Sequence, residues 1–172
     1  MNGAKKQGLS LFEADLENST LAGPSGREAT PGAVMKSAHR EKLQFCDTLE
    51  KIADSLPEVD RRKCLGTANA IVPLLRSIHQ YEERIIFPAY EVASDGSNAN
   101  LASARRLRAE HVEDECFAGE VTEILLAIGC GETVENAEAV GFMLRGFVKS
   151  VRRHIAFERE HVLPMIGIIE AG

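Results

Sequence analysis

Histidine and glutamate recur in this chain at a spacing that places them one helical turn apart. Three of the five histidines are followed four residues later by a glutamate, and a further histidine, His39, lies upstream. Residues four apart lie on one face of a helix, so each pair can present an imidazole nitrogen and a carboxylate oxygen to one point. The pairs are His79–Glu83, His111–Glu115 and His154–Glu158. These donors predict a metal site built from helices.

The predicted donor set is larger than one metal ion needs. Mixed imidazole and carboxylate ligands suit iron, and also zinc or manganese. A buried carboxylate without a partner is costly, and a bound cation removes that cost. Four imidazoles with two or three carboxylates fit two ions bridged by carboxylates, an arrangement that occurs in the cores of helical bundles.

Four helices must carry these residues, and the apolar positions predict where they run. Apolar residues recur every three or four positions, and the histidines stand in line with them. The predicted helices cover about residues 33–55, 58–92, 100–128 and 133–168, separated by turn formers near 57, 94–98 and 129–131. Pro73, Pro88 and Pro164 are expected to kink or end their helices locally. The short connections predict an all-α, up-down-up-down four-helix bundle.

The four histidines should lie at similar heights in such a bundle. Measured along the chain from each turn, the distances to the histidines on its two sides differ by at most four residues. Four residues span about 6 Å at the helical rise of roughly 1.5 Å per residue. One histidine per helix at a common height predicts a shared centre.

Composition excludes several classes of function. The chain has 172 residues and a net charge of −6, which argues against a nucleic-acid surface. It has no run of eighteen apolar residues and no signal-peptide pattern, so no membrane association and a cytoplasmic location are expected. The four cysteines form no CxxC motif and are expected to be reduced structural thiols.

The N-terminal segment differs in composition from the rest. Residues 1–32 are rich in Gly, Ser, Thr and Asn and sustain no helical period, which predicts a disordered tail before a domain at 33–172. The acidic, hydrophobic piece at 11–16 is a candidate docking site for a protein partner.

The pattern H…HxxxE…H…HxxxE, formed by residues 39, 79–83, 111 and 154–158, resembles that of the hemerythrin-like HHE domain family. The strings HQYEERIIFP and HIAFEREHVLP are similar to the family's second- and fourth-helix signatures, including the trailing proline. The resemblance covers about residues 33–168. It implies a four-helix bundle that holds two non-haem irons with an oxygen bridge and carboxylate bridges. Members of the family bind or sense O₂, handle nitric oxide or peroxide, sense iron, or repair damaged iron centres.

The resemblance also implies roles for individual residues. His39, His79, His111 and His154 would be imidazole ligands, and Glu83 and Glu158 would be bridging carboxylates. Glu82, beside Arg84, is expected to face solvent.

The chain departs from the oxygen carriers of the family, which have a second histidine where Glu115 stands. The remaining ligand is expected to be Glu115, with His161 and Tyr90 as alternatives. The extra carboxylate favours a sensor of O₂, nitric oxide or peroxide over a reversible carrier. An enzyme that turns over nitric oxide or peroxide or donates iron for repair, and a structural zinc bundle, remain alternatives. A ferritin-like di-iron protein is disfavoured because only Glu158–His161 matches its Glu-x-x-His run.

Overall fold

A computed structural model describes residues 29–93 and 98–171. Within these ranges the chain forms four bundle helices and no strand. The first bundle helix is α1 (Pro31–Asp54) and the third is α4 (Asn98–Cys130). The second and fourth each consist of two α-helices joined through a π-helical turn. They are α2 (Arg61–Tyr81), Glu82–Ile86 and α3 (Phe87–Val92), and α5 (Ala137–Phe157), Glu158–Val162 and α6 (Leu163–Ala171).

Each bundle helix packs against two neighbours, which closes the bundle. The second lies along the third, the first lies along the fourth, and the two pairs contact each other. The prediction of an up-down-up-down four-helix bundle is therefore confirmed. The predicted tail and part of the turn at 94–98 lie outside the described residues. None of the helices in the described ranges is both long and apolar enough to cross a bilayer.

Capping residues set helix ends that the apolar period placed only approximately. The second bundle helix begins at Arg61 rather than near residue 58, because the Asp60 carboxylate accepts hydrogen bonds from the backbone N–H groups of residues 62 and 63. The fourth begins at Ala137 rather than near residue 133, with Asn136 as the corresponding cap. The third ends at Cys130, and the φ of 108° at the following Gly131 allows two reverse hydrogen bonds that close the last turn.

The two π-helical turns lie at matching places in the second and fourth bundle helices. Each starts at a glutamate, Glu82 or Glu158, whose carbonyl accepts from an N–H five residues on. Each is followed closely by a proline, Pro88 or Pro164, which cannot donate a backbone hydrogen bond. The prolines thus accompany a local widening and do not end the helices, and Pro73 lies inside α2 without ending it.

The interior is layered along the bundle axis. A large apolar cluster, which includes Leu49, Leu125 and Phe147, fills one end. A smaller one, which includes Phe87, Leu107 and Ile166, fills the other. Between them the four histidines, one per bundle helix, form a buried polar layer. None of the four cysteines forms a disulfide, and Cys46 and Cys64 are buried whereas Cys116 and Cys130 are exposed.

Candidate metal centre

Four buried side chains from three bundle helices converge at the middle of the polar layer. They are Glu82, His111, His154 and Glu158, each at most 3 % exposed. One ligand atom from each lies within 4.8 Å of those from the other three. We call these four residues the inner group. Two imidazoles and two carboxylates at this separation form a nitrogen- and oxygen-rich site suited to a first-row transition metal.

Each residue of the inner group has one buried polar atom without a hydrogen bond. The atoms are His111 Nε2, His154 Nε2, Glu82 Oε2 and Glu158 Oε1. His111 Nε2 lies 3.2 Å from Glu82 Oε2, and His154 Nε2 lies 3.4 Å from Glu158 Oε1, but neither contact has hydrogen-bond geometry. An unsatisfied buried polar atom costs about 1–3 kcal/mol. These four atoms lie in two close histidine–glutamate pairs, an arrangement that fits a bound cation.

The other two histidines border the inner group. The His79 ring stacks on the His111 ring with their centroids 3.8 Å apart, and the His111 and His154 centroids are 5.0 Å apart. His39 Nε2 lies 2.9 Å from Glu158 Oε2. The structure thus brings one imidazole from every bundle helix into a single layer.

Three carboxylates at the edge of the bundle hold three of these rings from outside. Glu115 lies 3.0 Å from His79 Nδ1, Glu83 lies 2.8 Å from His111 Nδ1, and Glu110 lies 3.1 Å from His154 Nδ1. An ionised carboxylate only accepts hydrogen bonds, so Nδ1 must be the donor in each pair. The hydrogen bond leaves Nε2 of a neutral ring as a lone-pair donor, which is how metal-binding histidines are commonly oriented.

Glu83 and Glu115 therefore lie in different places from the inner carboxylates. Their side chains are 40 % and 28 % exposed, and each contacts a histidine Nδ1 at the outer edge of the layer. The expectation that Glu82 faces solvent is wrong, since Glu82 is fully buried. Residues three and four places after a histidine both share its helix face. Spacing alone could not choose between Glu82 and Glu83.

The two alternative ligands, Tyr90 and His161, lie outside the inner group. Tyr90 is buried in the smaller apolar cluster. The His161 side chain is 47 % exposed and packs against the ring of Phe157. Neither is among the four residues whose ligand atoms converge.

A buried lysine completes the layer. Lys42, one turn after His39 on α1, is 2 % exposed, and its Nζ lies 2.9 Å from Glu82 Oε1 and 3.4 Å from Glu158 Oε2. Burial favours the neutral amine, but the two carboxylates outweigh it and raise the pKa of Lys42 above its ordinary value.

The charges of the layer also shift the pKa values of its acids and imidazoles. Burial raises the pKa of Glu158, but the charge of Lys42 and the adjacent imidazoles of His154 and His39 outweigh it and hold that pKa well below its usual range. Burial lowers the pKa of His154, yet Glu110 and Glu158 bring it up to about 9. Burial and the neighbouring His111 lower the pKa of His79. The metal-free layer therefore combines ionised carboxylates with both charged and neutral imidazoles.

Sequence reasoning missed three residues of this layer: Lys42, Glu82 and Glu110. Lys42 falls in line with Met35, His39 and Cys46 on the apolar stripe of the first helix, and a lysine in that position was a detectable signal. Glu82 shares the helix face of His79. Glu110 gave no signal, because its partner His154 lies on another helix.

A family model for the hemerythrin HHE cation-binding domain matches residues 30–166. The chain belongs to this family. The match extends into all four bundle helices and includes every residue of the polar layer described above. Searches of curated proteins and of solved structures gave no match.

Proposed function

We propose that this hemerythrin-like protein binds non-haem iron at the inner group and responds through it to O₂, nitric oxide or peroxide. The observation that supports the proposal best is the unbonded, buried nitrogen or oxygen atom on each of the four inner residues. Iron is favoured because the donors mix imidazole with carboxylate and include no thiolate. Bound iron would supply an open coordination position and a change of oxidation state.

The protein's own residues would prepare the ligand atoms. The three outer carboxylates fix the orientation of His79, His111 and His154. The two apolar clusters keep bulk water away from the layer, which strengthens its electrostatic interactions. The resemblance to the family implies two irons. Whether a second ion accompanies the first depends on Lys42, which contacts both inner carboxylates.

A small ligand suits the surroundings of the site. The pocket that touches the layer at Lys42 is otherwise lined by apolar side chains, among them Phe45, Leu74 and Val151, and has room for about one molecule of the size of water. A pocket of this size is too small for an organic substrate. The two inner carboxylates favour an oxidised iron, and hence a sensing role over reversible carriage.

Metal analysis followed by ligand titration tests the proposal. Protein produced with iron present should contain iron, and the reduced protein should change its optical spectrum when O₂, nitric oxide or peroxide is added without air. His111→Ala should lose the iron. His161→Ala is the matched control, because this histidine lies outside the inner group and its side chain is 47 % exposed, and it should keep the iron.

The outcomes separate the alternatives. A lasting adduct in rapid mixing supports binding, fast oxidation that persists supports sensing, and repeated consumption of nitric oxide or peroxide identifies the enzyme alternative. Zinc without iron, or iron that gives no spectral response to any of the three ligands, would refute the proposal.

A further inference from the structure

The position of Lys42 bears on how many ions the centre holds. Its ammonium lies inside the layer, 2 % exposed, between one oxygen of Glu82 and one oxygen of Glu158. A lysine has no lone pair to offer a metal while it is protonated. Lys42 therefore does not act as a metal ligand here. Its ammonium is itself the cation that lies between the two carboxylates.

The two oxygens of each inner carboxylate have different surroundings. Glu82 Oε1 and Glu158 Oε2 bind Lys42 Nζ, whereas Glu82 Oε2 and Glu158 Oε1 have no hydrogen bond and lie near histidine Nε2 atoms. A carboxylate that bridges two ions gives one oxygen to each. In this layer the lysine ammonium contacts the first of these oxygens in both carboxylates, Glu82 Oε1 and Glu158 Oε2. Only the other two, Glu82 Oε2 and Glu158 Oε1, are left for a metal.

We propose that the centre of this protein holds a single metal ion, with the ammonium of Lys42 in place of a second ion. The inference rests on the proposed function, since it assumes that the inner group binds metal.

The spread of the ligand atoms agrees with one ion. Ligand atoms bound to one ion at about 2.1 Å lie at most about 4.2 Å apart. One ligand atom from each of the four inner residues lies within 4.8 Å of those from the other three before any metal draws them in. A small contraction therefore suffices for a single ion.

The oxygen of Glu158 that contacts Lys42 has a further partner. Glu158 Oε2 contacts both Lys42 Nζ and His39 Nε2, at 3.4 and 2.9 Å. A second cation there would have to displace these contacts and would lie against the lysine ammonium, which repels it. The existing contacts and the charge of Lys42 thus keep a second ion away from Glu82 Oε1 and Glu158 Oε2.

Counting the bound ions tests the inference directly. Metal-free protein is titrated without air with Fe²⁺, and the ions per chain are counted by native mass spectrometry. One ion per chain is expected. Oxidation should then give the paramagnetic resonance signal of an isolated ferric ion, whereas a coupled ferric pair is silent. Two ions per chain would overturn this inference and leave the proposed function standing. No bound ion would overturn the proposed function as well.

Variants at Lys42 test whether the lysine sets the count. Lys42→Met removes the charge at similar length and should raise the count from one ion to two, whereas Lys42→Arg should keep one. Lys36→Met on the same helix is the matched control, because Lys36 is exposed, and it should keep one. One ion in both the wild type and a folded Lys42→Met protein would overturn the role of Lys42. Circular dichroism reports folding, and the wild-type count decides the stoichiometry if Lys42→Met does not fold.

Discussion

The adjacent glutamates Glu82 and Glu83 provide a sharp test of the site, because they are identical in chemistry and differ in placement. Glu82 is fully buried and pairs with Lys42, whereas the side chain of Glu83 is 40 % exposed and contacts His111 from outside. Replacing each by glutamine keeps the size of the side chain and removes its charge. The two variants should therefore differ in both stability and metal binding.

The magnitudes follow from burial. Removing one partner of a buried ion pair costs roughly 3–5 kcal/mol. A net hydrogen bond contributes about 0.5–1.5 kcal/mol. For a chain of this size each kcal/mol shifts Tm by about 2–4 °C. Glu82→Gln should thus lower the Tm of the metal-free protein by roughly 6–20 °C. Glu83→Gln should lower it by only about 1–6 °C.

Metal binding should separate the variants in the same order. Glu82→Gln removes an inner ligand, so tight binding of iron should be lost. Glu83→Gln loosens the orientation of His111, which typically weakens metal affinity by about 10–100-fold. Thermal unfolding of the metal-free proteins and iron titration measure the two effects. If Glu83→Gln lost the metal and Glu82→Gln retained it, the reasoning from burial would be refuted and Glu83 would be the ligand, as its spacing suggests.

Two further predictions concern the scaffold. In the native protein at pH 8, an aromatic disulfide reagent should modify the exposed Cys116 and Cys130 quickly and the other two thiols only on unfolding. Burial raises the pKa of the Cys46 thiol to about 11, so its thiolate fraction, and with it any residual reactivity, should rise as the pH increases toward that value. Modification of all four thiols at one rate would contradict the predicted difference between exposed and buried cysteines. Asp60→Ala should lower Tm by roughly 1–8 °C through loss of the helix cap and should leave the iron content unchanged; loss of iron would show that the cap also positions the centre.

The sequence contained enough information to predict the fold. Apolar residues at intervals of three and four, interrupted by short turns, predict four helices and their antiparallel order, because each helix must bury one stripe. The same period places a histidine on the inner stripe of every helix, and the structure brings those four rings into one layer. Helix ends were predicted less well, since the capping side chains of Asp60 and Asn136 fix them through local hydrogen bonds that periodicity does not register.

The placement of individual carboxylates required the tertiary structure. Glu82 and Glu83 share a helix face with His79, so the pattern HxxxE predicted Glu83 as the inner residue. The carboxylate that reaches the centre is the one that meets Lys42, which comes from another helix. Likewise Glu115, predicted as a ligand, contacts the outer nitrogen of His79.

Periodicity along one helix determines which residues of that helix lie on a common face. For this chain, that information was enough to predict the bundle and its layer of histidines. Periodicity carries no information on which atom of a neighbouring helix lies opposite. The pairing of Lys42 with Glu82 and Glu158 was decided only by packing three helices together, because the Coulomb attraction of buried charges depends on distances of a few ångströms across the bundle.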